Sequence, residues 1–173
     1  MPGSGKSTIV SALKERGLEA LNLGDGVRAE AKRRDLEPTG DNLGKLMLEL
    51  REKNGPGAIA ELLTGPIKNS QSKVIVIDGV RSTAEIEVLK NAGSVKLLSI
   101  EATADTRYKF LSSRGRSDDP TTRGKFEERD NREMGVGIGE SIAIADETIS
   151  NTNITSEQLI ELAHKVIEKW IDT

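Results

Sequence analysis

Cysteine is absent from the 173 residues, histidine occurs once, and aromatic side chains make up 2% of the chain. The first absence removes disulfides and thiolate metal sites. The second leaves no nucleophile–base pair at recognisable spacing, which argues against triad and metal-hydrolase chemistry. The one histidine, His164, lies beside Leu162, Ala163, Val166 and Ile167 and reads as a helix-surface residue. The third leaves few rings to stack a base. No apolar run is long enough to cross a membrane. Neither sign of charge dominates: 25 Lys and Arg stand against 28 Asp and Glu, a net charge of −3. General nucleic-acid binding is therefore not indicated. The expectation is a single cytoplasmic domain, large enough for a core, whose partners are small molecules; its oligomeric state stays open. Charged residues at 31% without any cysteine suggest a heat-adapted source.

What the chain does have stands at its start. Met1-Pro2-Gly3-Ser4-Gly5-Lys6-Ser7-Thr8 is the second half of a phosphate-binding loop of pattern G-x-x-x-x-G-K-[S/T]. Gly3 and Gly5 let the backbone curl so that its N–H groups point at phosphate oxygens. Lys6 can reach the β- and γ-phosphates, and the Ser7 hydroxyl is a Mg²⁺ ligand. The helix that starts at Lys6 adds its positive end. The pattern's first glycine and the buried strand that carries such a loop are not in the sequence. In P-loop kinases that strand is central, between the third and fourth strands. The expectation is that the natural protein begins several residues earlier, with a short apolar strand and a glycine before Met1.

Strands alternate with helices along the rest. Helices are predicted over 6–16, 27–34, 43–53, 57–63, 103–113, 122–134 and 138–145, and strands over 18–23, 73–78, 95–100 and 147–150. Ser82-Thr83-Ala84-Glu85 and Thr155-x-x-Gln158 are capping boxes that open two further helices. The last of these is predicted to turn Leu159, Leu162, Ala163, Val166 and Trp170 to the core. The run Val74-Ile75-Val76-Ile77 before Asp78 reads as a buried parallel strand. The order implies an α/β fold, three-layer α/β/α with a parallel sheet. Residues 25–72 are helical and too long for a simple crossover, so they read as an inserted subdomain. The polar, arginine-rich stretch 112–122 reads as a mobile lid.

With a P-loop, a helical insertion, an Asp78-Gly79-Val80-Arg81 strand end and an Arg114-Gly115-Arg116-Ser117-Asp118-Asp119 lid, the chain resembles nucleoside monophosphate kinases. It is most similar to the archaeal family described as adenylate-kinase-related proteins. Gly24-Asp25-Gly26-Val27-Arg28 resembles the family's acceptor segment, which implies an acceptor role for Asp25 and Arg28; Asp25 equally suits a helix N-cap. Arg81 resembles the arginine of D-G-x-P-R, though the proline is missing and the spacing is one residue shorter. It is implied as an acceptor-side and catalytic cation. Asp78, ending its strand at the ligand side of a parallel sheet, is a candidate for Mg²⁺. Arg114 and Arg116 correspond to lid arginines that close on phosphates. Asp118 and Asp119 resemble the lid's acidic pair, with Asp119-Pro120 equally suited to cap the next helix. Arg123, Arg129 and Arg132 lie on the next helix, where one of them is within reach of the transferred phosphate and most read as a solvated face with Glu127, Glu128 and Asp130. Dephospho-coenzyme A kinases share the P-loop, the arginine lid and an ending like Ala145-Asp146…Ile149-Ser150-Asn151. The expected activity is transfer from Mg²⁺-ATP, held on Gly3 to Thr8, to a nucleoside monophosphate such as AMP. Dephospho-coenzyme A is the competing acceptor, and a nucleotide sensor without turnover the competing class.

Overall fold

A helix, α1 (Lys6–Glu15), rises from the glycine loop and leads into a short strand, β1 (Glu19–Asn22). The computed structural model describes residues 1–116 and 119–172. Four helices follow: α2 (Leu23–Arg33), α3 (Gly40–Asn54), α4 (Ala58–Glu61) and α5 (Thr64–Asn69). Then come β2 (Ile75–Asp78), α6 (Thr83–Lys90), β3 (Leu98–Glu101), α7 (Ala104–Arg114), α8 (Arg123–Val136), α9 (Ile138–Ala143), β4 (Glu147–Ser150) and α10 (Ser156–Ile171). This is a P-loop α/β fold with parallel strands and helices on both sides.

The strands form two parallel pairs. Glu19 to Asn22 run in register with Ile75 to Asp78, and Leu98 to Glu101 with Glu147 to Ser150. Among the described residues no strand joins β2 to β3. The expectation of a fully buried β2 is corrected accordingly: Ile75 to Asp78 are half-buried, because β2 is paired on one edge only. Apolar packing ties the pairs together instead. Val76 of β2 packs in one cluster with Ile100 of β3, Ile149 of β4, Ile9 and Leu13 of α1, and Leu159 and Ala163 of α10. Ile9 and Leu13 stand four residues apart and so share one face of α1. A second cluster joins Leu23, Val27 and Ala31 of α2 to Leu43, Leu46 and Leu50 of α3, Ile59 of α4 and Leu89 of α6. The helical stretch after β1 thus has a core of its own.

Local chemistry sets the helix boundaries. α2 starts directly at Leu23 because the Asn22 side chain caps it, accepting from the Asp25 N–H at 3.2 Å. The capping box of α10 forms in full, with Thr155 and Gln158 each accepting the other's N–H. That of α6 forms by half: Ser82 Oγ accepts from the Glu85 N–H, while Glu85 Oε2 takes the N–H of Arg81 at 2.7 Å instead of that of Ser82. Thr122, not Asp119, caps α8. α10 buries Leu159 and Ala163 but leaves Leu162 44% exposed, so the stripe is narrower than predicted. α5 was not anticipated; Pro66 sits in its first turn, where a missing N–H costs nothing.

Candidate phosphate-binding site

Gly3 and Gly5 both adopt positive φ, 78° and 103°, and Gly5 caps α1 in the left-handed conformation. Their missing side chains matter as much as their angles. A Cβ on Gly3 would fall 2.6 Å from the Arg107 carbonyl oxygen. A Cβ on Gly5 would fall 2.5 Å from Asn151 Nδ2 and 2.8 Å from Leu159 Cδ2. The loop is therefore seated tightly between α7, the end of β4 and α10. Two side chains fasten it. Asn151 Nδ2 donates to the Ser4 carbonyl at 3.0 Å, and Arg107 Nη1 to the Pro2 carbonyl at 3.3 Å. Arg107 is itself held by Asp130, at 2.8 and 2.5 Å, and lies over the Phe126 ring. Sequence reading noted Asn151 only within a resemblance and missed Arg107. An arginine inside a helical stretch carries no local sign of facing inward. Substituting Gly5→Ala is expected to cost roughly 1–3 kcal/mol from the forbidden φ alone. A thermal melt should show the loss, and calorimetry should show weaker ATP binding; an unchanged melt would contradict the tight seating.

The loop opens onto a cavity of about 370 Å³. Gly3, Gly5, Lys6, Ser7, Thr8, Arg28, Asp78, Arg81, Arg114 and Arg116 all line it. Every predicted site residue is there except two. Ser4 is buried beneath the loop, where its backbone carbonyl is used. Asp25 has a side chain 73% exposed and lines no cavity wall; it stands 3.6 Å from Arg28 in the first turn of α2. Asp118 lies outside the described residues.

Lys6 Nζ donates to the Met1 carbonyl at 2.8 Å and to Ser4 Oγ at 3.4 Å. Burial is the main influence on its ammonium and lowers its pKa from the ordinary lysine value. Asp78 opposes that shift, and Arg81 adds to it. A desolvated ammonium among cations gains most when phosphate arrives. Asp78 is prepared differently. Its Oδ2 accepts from Asn22 Nδ2 at 2.8 Å, while its buried Oδ1 has no hydrogen-bond partner. An orphaned carboxylate oxygen in the same cavity as the Ser7 hydroxyl suits a hard divalent cation.

The arginines are anchored by carboxylates. Arg81 Nε stands 2.5 Å from Glu133 Oε2, and its Nη1 lies 3.6 Å from Met47 Sδ. Arg114 pairs with Asp119, which also accepts the Arg116 N–H at 2.9 Å. Asp119 therefore ties Arg114 and Arg116 together rather than capping α8. Phe110, Leu111, Ile138 and Ile154 supply the cavity's apolar wall.

A glycine loop at a helix start, a lysine inside it and an acidic strand end facing it define a P-loop nucleotide-binding protein. Residues 1–125 match the family described as AAA domain. A protein from Pyrococcus horikoshii, "UPF0200 protein", is 37% identical over 178 residues, spanning 98% of this chain and 96% of its own length. A UPF0200 protein of Hyperthermus butylicus is 40% identical over 151 residues, 87% of this chain and 81% of its own. The chain belongs to the UPF0200 family of P-loop proteins. Among solved structures, shikimate kinase from Bacteroides thetaiotaomicron matches 96% of this chain and 93% of its own with a TM-score of 0.64. At 14% identity that likeness concerns the fold alone.

Proposed function

We propose that the protein is a cytoplasmic, ATP- and Mg²⁺-dependent kinase acting on a small phosphate-bearing acceptor, a nucleoside monophosphate such as AMP. One observation carries this reading: Lys6, Ser7, Asp78, Arg28, Arg81, Arg114 and Arg116 converge on one cavity at the N-terminus of α1. Phosphoryl transfer needs alignment and positive charge more than a strong base. An acceptor phosphate oxygen forms the new bond to the γ-phosphorus, the bond to the β,γ-bridging oxygen breaks, and ADP leaves. Lys6 and the loop N–H groups hold the β- and γ-phosphates. Arg81, Arg114 and Arg116 balance the charge spread over the transferring group. Ser7 and Asp78 would hold Mg²⁺, which when bound neutralises the β- and γ-oxygens. The membrane plays no part in this reading, and no helix among the described residues is long and apolar enough to cross one.

Incubation with [γ-³²P]ATP and AMP or dephospho-coenzyme A, in parallel, tests the reading. Labelled ADP from AMP supports it. Phosphorylation of dephospho-coenzyme A alone would replace the acceptor, and no transfer to either would leave a binding protein. On the acceptor side Arg28 is the clean probe. Arg81→Ala would strand buried Glu133, whereas among the described residues the acid beside Arg28 is the exposed Asp25. Arg28→Ala is expected to raise the acceptor KM about 10- to 100-fold, the worth of a charged hydrogen bond in a closed site. ATP affinity should stay within about twofold of the unsubstituted protein. A matched fall in ATP affinity would place Arg28 on the donor instead.

A further inference from the structure

We propose that Arg132, admitted by Gly44, is the anchor for the phosphate monoester of the acceptor; the proposal rests on the kinase reading above. The sequence leaves open which of Arg123, Arg129 and Arg132, if any, reaches phosphate. The structure places Arg132 half-buried on α8, with its buried Nε making no hydrogen bond. Its neighbours on the helix are matched by acids. Arg123 stands 2.7 Å from Asp105, Lys125 3.3 Å from Glu128, and Arg129 3.9 Å from Asp119. Among the described residues no carboxylate pairs with Arg132. A guanidinium withdrawn from water without counter-charge is unfavourable until an anion reaches it.

The surroundings say which anion. Arg132 lines a small cavity of about 30 Å³ together with Arg28, Arg81 and Arg129; Glu133, already paired with Arg81, also lines it, as do Val27, Leu43 and Met47, so positive charge outweighs negative there. Arg28, Arg81 and Arg129 also line the 370 Å³ nucleotide cavity. Arg132, with Gly40 and Thr39, also lines a recess of about 170 Å³ whose remaining walls include Asp41, Asp119 and Glu128, a lining that suits an uncharged polar group rather than a second anion. The order is donor cavity, narrow cationic neck, recess. A neck of that size holds one small group, not a nucleoside. A dianionic phosphate fits both its size and its guanidinium walls. The recess beyond takes the rest of the acceptor.

Gly44 completes the argument. It lies inside α3, where glycine weakens a helix relative to alanine. A Cβ there would fall 2.7 Å from Arg132 Nη1 and 2.9 Å from its Cζ. The glycine lets the guanidinium lie flat against α3 beneath the neck. The three nearest atoms to that Cβ all belong to the Arg132 guanidinium, so Gly44→Ala would push the guanidinium aside.

The test follows the Arg132 side chain directly. In ¹⁵N-edited spectra of the whole protein, its Nε–Hε cross-peak is identified by its loss in Arg132→Lys or Arg132→Met. On titration with inorganic phosphate, and with AMP, the peak is expected to shift saturably, and chloride at matched ionic strength should leave it in place. Arg132→Met should raise the KM of whichever acceptor is turned over about 10- to 100-fold with ATP affinity kept. Gly44→Ala should raise it several-fold without lowering the melting temperature, which a merely structural role for Arg132 would not produce. A cross-peak indifferent to phosphate and AMP would overturn the proposal, as would an unchanged acceptor KM in both Arg132→Met and Gly44→Ala while transfer proceeds. Failure of the kinase reading looks different: loss of ATP binding or of all transfer in the unsubstituted protein, with the phosphate shift still deciding the fate of Arg132.

Discussion

Lys6→Ala is expected to abolish measurable phosphoryl transfer while the protein stays folded. The ammonium sits at the loop, hydrogen-bonded to the Met1 carbonyl and Ser4 Oγ, and it fills no part of either apolar cluster. Burial lowers its pKa, so removing it relieves a desolvated charge instead of opening a cavity in the core. In the proposed transfer it is the loop cation that holds the β- and γ-phosphates. Losing one such preorganised donor costs on the order of 10²–10³ in kcat. Lys6→Arg should fail too, because a planar fork cannot occupy the place of a compact ammonium inside so tight a loop. The measurements are single-turnover transfer, ATP titration and a thermal melt on both variants. Transfer near the unsubstituted rate in Lys6→Ala would remove the catalytic reading of the loop, whatever the acceptor.

The largest expected effect on stability lies away from the phosphates. Arg51 of α3 and Glu85 of α6 form an ion pair at 2.7 Å, with side chains 11% and 0% exposed. Glu85 also accepts the Arg81 N–H, so one carboxylate fastens the strand-end loop to the helical subdomain. Glu85→Ala leaves Arg51 buried without counter-charge. It is expected to cost on the order of 3–5 kcal/mol. For a domain of this size that is a fall in melting temperature of roughly 6–20 °C. Removing both charges together, Arg51→Met with Glu85→Leu, should cost much less, since no buried charge is stranded. The Arg81 loop would still be freed, so the double variant should melt high yet bind the acceptor poorly. Equal melting losses in the single and double variants would show that the pair's packing, not its charge, holds the two elements.

Much of this was legible along the chain. The loop Gly3 to Thr8, the strand end at Asp78, Arg114 and Arg116 are local patterns, and all of them but Ser4 line the cavity. Caps were legible where they were contiguous: Thr155 and Gln158 behave as their spacing implies. Glu85 shows the limit. Its spacing from Ser82 satisfies the capping pattern, but its carboxylate is drawn to Arg51, 34 residues away, and to the N–H of Arg81. Asp119 shows the same limit, since its neighbour Pro120 suits a cap while Arg114 claims the carboxylate. Arg107 gave no signal at all, and Arg132 could not be told from Arg123 and Arg129. Each lies among charged residues on a helix, and nothing in the neighbouring letters says which way it turns.

The sequence by itself determined the class of chemistry. A glycine loop that exposes its N–H groups, with a lysine at the start of a helix, recognises phosphate through local geometry that a dozen residues suffice to specify. The tertiary structure alone decided which cations are paired with acids and which are not. Pairing of charge depends on distance and burial between residues far apart in the chain. Folding brings Glu133 to Arg81, Asp119 to Arg114 and Asp130 to Arg107, and leaves Arg132 beside Gly44 with no carboxylate among the described residues.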